Sequence, residues 1–594
     1  MNPKHERRNI IIIMIIAYAF LLIGVIDSKP MHTTTDELGG LVSAAYFAGL
    51  DWSGVITNSG YYGFGYYSLF FWLFQITDSP FIIYRTIIIV TALLRVLIIP
   101  IAYYILKNYL DVKVGVYLYA VSFLMPFLHT STIGVISNEY VLEFLIWLSV
   151  LLVCKSTSAK NQKESVLYMI SLVLVSLYSL FIHTRALTLL IALLLVYFVY
   201  GIITKNRAST IVILGLPVFY FVSKIAIGEY QKNVFGLTGG ELRNGGVNVN
   251  FKFDLFDKNV WDVWFRMIIG MLDTENIITT GIFLMGIVVF FWYLKTVITQ
   301  KHSILSVQGI LILAVSVLCI GATIAAFLVS SWFEGMLNSW NDADASSQYA
   351  YKGLTYVRYW NIYVPVFMLC SFSILIKLEY KKIIRQTVLI SVFLHILYIH
   401  RLIPLLKNNG GCAGFLYGVG HYADTFQVSA QYYFKCIAIS LSAMIVTLCI
   451  IESKYRKYAM IAPIIFMMQF HYNEQTEYNA QIKNKISSKI LASYDIKCKA
   501  EEHNIDFGTI YLNDESNGMD ANWKIYSVAQ FYFNRYTLQM ELPSSLGSKD
   551  VIISTNKSGR LESMYSDVNC YVLDDNEVWY TKLNLDDFVP YKGE

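Results

Sequence analysis

An adjacent aspartate and glutamate, Asp36 and Glu37, follow directly on the first apolar segment of the chain, in the stretch MHTTTDELGGLVSAAYFAGLDW at residues 31–52. A carboxylate at the boundary between lipid and water can act as the general base for a hydroxyl group. The pair also suits a helix start, because Thr34 and Glu37 match a capping box and acidic side chains stabilise the first helical turn. The capping box accounts for Glu37 more fully than for Asp36, so both interpretations stay open.

Further polar residues stand where later apolar segments meet the same predicted face of the membrane. Glu139 follows Asn138 at the outer end of one segment, and an acid at that depth is costly enough to be a functional candidate, although it also suits the headgroup region. Arg85 and Arg358 begin two other segments. Each guanidinium can bind a lipid phosphate in a bidentate manner or simply extend to the interface.

His183 and Arg185, in the sequence HTRA, lie in a short connection on that face. They suit a phosphate site and an ordinary polar turn equally well. Lys29 stands close enough in the chain to tune the pKa of Asp36. His421 is predicted to be a structural loop histidine.

Aromatic residues crowd the segment before and around Arg358. Trp332, Trp340 and the tyrosines of 349–359, Tyr359 among them, can stack on sugar rings or form an interfacial aromatic belt. The belt is the more ordinary of the two interpretations.

The elements that must position these residues are membrane helices. Of 594 residues 56% are hydrophobic and 15% are charged, which is too apolar for a soluble domain. The apolar runs reach the length of about 20 residues that crosses a bilayer. They predict a mainly α, polytopic helical bundle of about 13 spans, at residues 9–26, 81–105, 114–130, 139–154, 165–182, 186–203, 208–227, 277–295, 304–330, 359–376, 386–399, 434–451 and 458–470.

Basic residues mark one face of this bundle. They cluster in alternate short connections, which places the N-terminus and these connections in the cytoplasm by the positive-inside rule. The clusters are Lys107 and Lys113; Lys155, Lys160 and Lys163; Lys205 and Arg207; Lys295 and Lys301; Lys377, Lys381, Lys382 and Arg385; Lys454, Arg456 and Lys457. The opposite face receives the long segments 27–80, 228–276, 331–358 and 400–433.

We predict two domains, a membrane domain at 1–470 and a small soluble α/β domain at 471–594. The second is placed outside the cytoplasm, unless the short final span, which contains Pro463, does not cross. Its predicted elements are helices at 480–503 and 522–540 and strands at TIYLND, DVIIST, CYVLDD and EVWYTKL. Cys498 and Cys570 lie in it and are either a disulfide or two unrelated thiols.

The first long segment, 27–80, is predicted to hold two helices that lie on the membrane surface. Leu38, Leu41, Val42 and Ala45 recur at helical spacing after Thr34, and the aromatic stretch GYYGFGYYSLFFWLF at 60–74 suits the interface. The acidic pair would then stand at the start of the first helix.

The chain resembles the GT-C glycosyltransferases over residues 10–155, and mainly by topology elsewhere, in particular the protein O-mannosyltransferases, the lipid A aminoarabinose transferase and their bacterial relatives. The likeness rests on DELGGLVSAAYFAGLDW, YYGFGYYSLFFWLF and the Arg85 segment SPFIIYRTIIIV. A second similar motif is YVRYWNIYVP, at residues 356–365. The proline-rich juxtamembrane motif of those proteins is replaced here by Gly63-Phe64-Gly65-Tyr66, and their phosphate-binding lysine is absent.

The resemblance implies a membrane enzyme that moves a sugar from a polyprenyl-phosphate donor to a hydroxyl acceptor outside the cytoplasm, with inversion. It implies that Asp36 is the base and that Glu37 orients it. Glu139, Arg85, Arg358, Tyr359, His183 and Arg185 would bind substrate. If a divalent cation is used, Asp36, Glu37 and Glu139 are its expected ligands; no other cofactor is expected.

The implied partners are the lipid donor, the plasma-membrane bilayer and an acceptor that is a glycan, a lipid or a protein. No nucleic-acid partner is predicted. Two other classes stay open: a non-catalytic scaffold with the same fold, and a lipid or polysaccharide transporter. The transporter is disfavoured because the predicted spans carry almost no charge near their centres.

Overall fold

The computed structural model describes residues 3–26, 29–30, 34–56, 63–129, 136–235, 256–300, 303–330, 333–337, 350–377, 380–409, 430–473, 476, 479–513, 528–555, 557–574 and 577–589. Within these ranges the side chains of residues 34–36, 235, 350–352, 380–381, 407–409 and 479–489 lie outside the description.

Helices make up almost all of the chain up to residue 502. They are α1 Pro3–Leu21, α2 Thr34–Phe47, α3 Ser53–Ile56, α4 Phe71–Ile76, α5 Pro80–Val96, α6 Ile98–Asn108, α7 Gly115–Leu128, α8 Asn138–Thr157, α9 Gln162–Ile182, α10 Ala186–Thr204, α11 Ser209–Phe235, α12 Lys258–Ile278, α13 Ile282–Gln300, α14 Val307–Phe327, α15 Arg358–Asn361, α16 Val364–Leu375, α17 Tyr380–Arg401, α18 Ile403–Asn409, α19 Ala430–Glu452, α20 Ile461–Asn473 and α21 Asn479–Glu502. Short 3₁₀ helices lie at Tyr67–Phe70, Ala350–Thr355 and Arg456–Tyr458.

Every predicted apolar segment coincides with one of these helices. Among the described residues, nine helices are long and apolar enough to cross a membrane, and the continuous α5–α6 unit is the longest at 29 residues. Helices α7 and α16 are shorter apolar helices. Several starts are set by polar caps, as at Ser79, whose hydroxyl accepts from the Ile82 amide before Pro80, and at Asn161, which accepts from Glu164. The prediction of a polytopic helical bundle is confirmed.

Helix α2 differs from its prediction. All of its described side chains from Glu37 to Ala45 are buried, so the helix has no polar face with which to lie on a membrane surface. It packs against the 3₁₀ turn Tyr67–Phe70 and against α4. Neighbouring chain therefore covers the side of α2 that water was expected to cover, and of its described side chains only Tyr46 and Phe47 at its end are exposed. The position of α2 at the membrane surface stays a prediction. The α4 region does expose Leu69 and Trp72, as an interfacial helix should.

The C-terminal region forms a five-stranded sheet in the order β2-β1-β3-β5-β4. Its strands are β1 Ile510–Asn513, β2 Leu538–Gln539, β3 Val551–Ser554, β4 Asn569–Asp574 and β5 Glu577–Thr581, with a short helix, α22, at Gly559–Met564. β1 pairs in parallel with β2 and β3, whereas β5 pairs antiparallel with β3 and β4. Helix α21 packs on β5 and β4.

The predicted helix at 522–540 was wrong at its C-terminal end. The described part is helical only from 528 to 532, and Leu538 instead pairs with Ile510. Tertiary pairing of the backbone outweighs the local helix propensity here. The two cysteines for which a disulfide was one alternative, Cys498 and Cys570, are both free thiols.

The sheet region is seated on the first long segment. Trp52 Nε1 donates to the Asn534 carbonyl at 2.9 Å, and Asn534 Nδ2 donates to the Asp78 carbonyl at 2.8 Å. Lys497 Nζ lies 3.3 Å from the Asp78 carboxylate. The C-terminal region therefore lies at the same face of the bundle as residues 34–80, and α20 carries the chain back to that face.

Candidate functional site

Two arginines share one buried carboxylate at this face. Arg358 Nε donates to both oxygens of Glu139, at 2.7 and 2.9 Å, and Arg185 Nη1 donates to one of them. The Glu139 side chain is 1% exposed, whereas those of Arg185 and Arg358 are 13% and 22% exposed. The sequence nominated all three residues separately, and the structure brings them together.

Three separate elements supply this cluster. Glu139 is in the first turn of α8, where the Ser137 hydroxyl accepts from the Glu139 amide. Arg185 ends the short turn between α9 and α10, and Arg358 begins α15. The cluster therefore forms where the ends of three packed elements meet. The positions of the three residues in the sequence could not reveal this contact.

Aromatic and polar neighbours hold the Arg185 turn in place. The Arg185 guanidinium lies 3.8 Å from the centre of the Tyr359 ring, which stabilises the cation. The Tyr363 hydroxyl is within 2.6 Å of Thr188 Oγ1 and donates to the Arg185 carbonyl at 3.3 Å. Tyr359 therefore joins the predicted site through its ring.

His183 is half-buried beside this cluster, and its Nδ1 accepts from the Arg185 amide at 3.1 Å. Burial and the neighbouring positive charge of Arg185 lower the pKa of His183 well below its ordinary value. The imidazole is therefore uncharged at neutral pH, so the two arginines and Glu139 together carry a formal charge of about +1.

The second residue of the acidic pair is a bracing residue. Glu37 is fully buried and accepts from the Tyr84 hydroxyl at 2.5 Å and from the Ile136 amide at 3.0 Å. It thereby ties α2 to α5 and to the residues that precede α8. The capping-box interpretation explained Glu37 by contacts within its own helix, whereas these contacts are long-range.

Tyr67 lies between the acidic helix and the arginine cluster. The charges of Glu37, Glu139 and Arg358 all act on its hydroxyl. A Cβ at Gly40 would meet the Tyr67 ring at 2.2 Å, so only glycine allows the ring to pack this closely on α2. The Leu-Gly-Gly stretch after the acidic pair thus brings α2 towards the cluster.

Asp36 occupies the first turn of α2, directly before Glu37. Its side chain lies outside the described part of the structure, so its contacts, including any with Lys29, are not described. The helical backbone at 34–36 fits the predicted helix start.

Arg85 is placed away from the Glu139 contacts. Its guanidinium lies 5.5 Å from the centre of the Phe81 ring, and Phe81 contacts Tyr494 and Tyr532 of the C-terminal region. Beside this contact with the C-terminal region, Arg85 is better placed to brace the end of the first long segment than to bind a phosphate directly. Trp332, Trp340, Tyr349 and His421, which were also considered from the sequence, lie outside the described residues.

The replaced proline motif has a structural explanation. The amides of Phe64 and Gly65 donate to the Phe181 carbonyl at 2.9 and 2.8 Å, and a Cβ at Gly63, whose φ is +93°, would meet the Ile182 carbonyl at 2.0 Å. The glycines allow the chain to lie directly on the end of α9. That end leads into the turn that carries His183 and Arg185.

Sequence reasoning missed a polar network behind Arg358. Asn361 Nδ2 donates to both oxygens of the fully buried Glu275, at 2.7 Å each, which fixes the short helix that carries Arg358. Two residues earlier in α12, Asp273 pairs with His395 Nδ1 at 2.9 Å. The four consecutive polar residues DTEN at 273–276, between apolar residues of α12, were the available signal.

A second missed cluster lies deeper in the bundle. His129 Nδ1 pairs with the Glu143 carboxylate at 2.9 Å, and Arg95 donates to the His129 carbonyl while it lies 4.7 Å from the Tyr140 ring centre. Arg95 and Glu143 are buried inside candidate membrane spans. The expectation of almost no charge near the centres of the spans did not consider these two residues, each of which contacts His129 at the end of α7.

A divalent cation does not fit the two described members of its predicted ligand set. Both oxygens of Glu139 are taken by arginines, and Glu37 is held by a hydroxyl and an amide. Among the described residues, no three histidine, cysteine or carboxylate side chains gather in a way that would hold a metal ion. The chemistry proposed for these residues does not depend on a metal ion.

Two solved structures share the architecture of the chain. The crystal structure of ArnT from Cupriavidus metallidurans bound to undecaprenyl phosphate superimposes with a TM-score of 0.52 at 8% identity, over 96% of this chain and 98% of that one. The apo structure of the same protein gives 0.51 at 9% identity, over 96% and 97%.

The chain has the GT-C fold. At this identity the likeness shows the fold and does not by itself show the activity. The sequence matches no protein-family model and no curated protein. The GT-C fold includes the C-terminal region, since the superposition covers almost the whole of both chains.

Proposed function

We propose that this protein is an integral-membrane glycosyltransferase that moves a sugar from a polyprenyl-phosphate donor to a hydroxyl acceptor at the face that carries Glu139. The observation that carries the proposal is the pair of arginines that share one carboxylate. A buried cluster with a formal charge of about +1 attracts an anion, and GT-C architecture over the whole chain makes a lipid-linked phosphate the fitting one.

Arg185 and Arg358 would bind the donor phosphate. The Nε of Arg185 is buried and has no hydrogen-bond partner among the described residues, so it can still donate to a phosphate oxygen. Glu139 holds both guanidinium groups in position and keeps their charges from repelling each other. A phosphodiester with one negative charge would bring the cluster close to neutrality.

Asp36 is the proposed base. It would take the proton of the acceptor hydroxyl as the acceptor oxygen attacks the anomeric carbon of the sugar. The bond between that carbon and the phosphate oxygen breaks, and its electron pair leaves with the phosphate, whose growing charge the arginines stabilise. One direct displacement inverts the anomeric centre.

Glu37 acts in this scheme as a positioning residue. Its contacts with Tyr84 and Ile136 fix the first turn of α2, the turn that carries Asp36. The acceptor class stays open between glycan, lipid and protein. The C-terminal region, seated over residues 52–78, is the proposed binding surface for the acceptor or a partner protein.

The test compares lipid-linked sugars and surface glycans in cells that carry the wild-type chain, Asp36→Asn or Asp51→Asn. Asp51 is a matched control, because it is an exposed aspartate of the same segment whose carboxylate only accepts from the Ser53 amide. Loss of the base should reduce transfer by roughly 10²–10⁴-fold and cause one polyprenyl-phosphate sugar to accumulate at normal protein level. The identity of that lipid names the donor.

Unchanged profiles in Asp36→Asn, with full-length protein in the membrane, would contradict the transferase and favour a non-catalytic scaffold with the GT-C fold. A profile that changes equally in Asp51→Asn would show that the segment is merely sensitive to substitution.

A further inference from the structure

A groove opens at the opposite face of the bundle, where the basic connections lie. It has a volume of about 500 Å³ including its open mouth, and its apolar walls include Val114, Tyr117, Leu375, Ile376 and Met460. Arg456 and Lys457, from the 3₁₀ turn between α19 and α20, complete its lining. The groove is thus apolar inside and carries two cations on one wall.

Helix ends form this space. The groove lies at the start of α7 and at the end of α16. Val114, Leu375 and Ile376 stand at these ends, where apolar helices meet the basic connections. Val114 is exposed there, so the groove offers apolar surface directly beside cations.

The charges around the opening are mainly positive. Lys113 directly precedes Val114, and Lys377 directly follows Ile376. Of the neighbouring acids, Asp111 lies 3.4 Å from Lys113, and Glu452 is exposed beside Ile451. The side chains of Arg456 and Lys457 are exposed to the medium. Among the described residues named here, four basic side chains stand against two acidic ones, which leaves a positive rim above the apolar walls.

We propose that this groove binds an anionic phospholipid, with one acyl chain against Val114, Tyr117 and Met460 and the phosphate group beside Arg456 and Lys457. The apolar floor explains why a free anion would not suffice, and the positive rim explains why a zwitterionic lipid would bind less tightly. The site lies at the opposite face from Arg358, so it is separate from the proposed donor site and does not depend on the proposed function.

Lipid bound here would join elements that are distant in sequence. The turn Arg456–Tyr458 packs on α7, and α7 packs on α16 and α20. A ligand that binds the folded protein and not the unfolded chain raises the temperature of unfolding. Thermal unfolding of the full-length protein therefore reports occupancy without a transferase assay.

The experiment adds dioleoyl phosphatidylglycerol, dioleoyl phosphatidylcholine or inorganic phosphate to the full chain in an uncharged detergent. Phosphatidylglycerol should raise the Tm by about 2–4 °C, and the other two should raise it far less. The double variant Arg456→Gln with Lys457→Gln should lose most of this shift. The double variant Lys454→Gln with Lys382→Gln, which removes two exposed charges outside the groove lining, should keep it.

A third variant separates the tail from the headgroup. Val114→Trp should fill the groove and abolish the shift while every cation stays in place. An equal shift with inorganic phosphate would overturn the lipid, and an equal shift with phosphatidylcholine would overturn the requirement for negative charge. A shift that survives both the Arg456/Lys457 and the Val114 variants would overturn the site.

Discussion

At the scale of single residues, the decisive feature is that one carboxylate, Glu139, faces two guanidinium groups. Both oxygens of Glu139 accept hydrogen bonds from the arginines, whereas Arg185 Nε has no hydrogen-bond partner among the described residues. Removal of Glu139 would leave two half-buried positive charges side by side, and breaking a fully buried pair costs about 3–5 kcal/mol, which sets the upper bound here. Loss of activity in a Glu139 variant would therefore mix catalysis with folding, so the arginines are the better test.

The first residue-scale prediction concerns Arg358→Lys. Lysine keeps the charge but loses the planar fork that addresses two oxygens. With undecaprenyl phosphate as the probe, we expect the wild-type Tm to rise and the variant to lose affinity by about tenfold or more, because one charge-assisted hydrogen bond contributes roughly 1.5–3 kcal/mol.

The matched control is Arg266→Lys, because Arg266 pairs with Asp262 one turn away in α12, 2.9 Å from its Nε. That variant and the Arg456/Lys457 double variant should both keep the shift with undecaprenyl phosphate. If Arg358→Lys keeps it too, the donor phosphate does not bind at this cluster.

The sequence identified Glu139, Arg185 and Arg358 as candidates but could not show that they contact one another. Arg358 and Glu139 are 219 positions apart, and only the packing of α8, α10 and α15 joins them. Motif resemblance supplied Asp36, Glu139 and Arg358 as separate candidates. It did not supply Glu275, which holds Asn361 and thereby the Arg358 turn, because the run DTEN marks a polar site but does not identify its partner 86 positions away.

At the scale of elements, the seam between the first long segment and the C-terminal region is the contact that most affects α2. Phe531 packs edge-on against Phe74 and Tyr84, and the Tyr84 hydroxyl binds Glu37. The seating of the sheet region is thus continuous with the turn that carries the acidic pair. A Cβ at Gly54 would meet the Leu538 carbonyl at 2.0 Å, so the approach is close at the backbone level as well.

Trp52→Phe tests this seam. The change removes the hydrogen bond from Nε1 to the Asn534 carbonyl and should weaken the seating by about 1 kcal/mol, which makes release of the C-terminal region by limited proteolysis roughly fivefold faster. Trp579→Phe is the control, because it removes a similar bond, from Nε1 to Ser493 Oγ at 2.8 Å, inside the C-terminal region. Equal release rates in the two variants would show that the seam contributes nothing.

Element types were readable from the sequence, but their surroundings were not. Hydrophobic runs and caps located the membrane helices, and alternating apolar residues located the strands of the sheet. Helix α2 was assigned to the membrane surface because helical spacing looks alike whether the covering partner is lipid or protein. The strand at Leu538 was missed because two residues of pairing carry no local pattern.

At the scale of the whole molecule, charge and mass are distributed between two faces. The basic turn Arg456–Tyr458 and the groove lie at one face, whereas Glu139, α2 and the C-terminal region lie at the other. By the positive-inside rule, we expect the first face to lie in the cytoplasm. With this orientation, the proposed lipid site meets the cytoplasmic leaflet and the proposed transferase site meets the opposite leaflet.

Cysteine accessibility decides the orientation. In single-cysteine variants, a membrane-impermeant maleimide added to intact cells without an outer barrier should label Cys570, which is exposed in the sheet region. Lys454→Cys in a chain without other cysteines should react only after the membrane is permeabilised. Cys449, exposed on α19 but within a membrane span, is the control that should react in neither case before denaturation. Labelling of Lys454→Cys but not of Cys570 in intact cells would show that the orientation is the reverse of the expected one. A donor that reaches Arg358 would then have to come from the cytoplasmic leaflet.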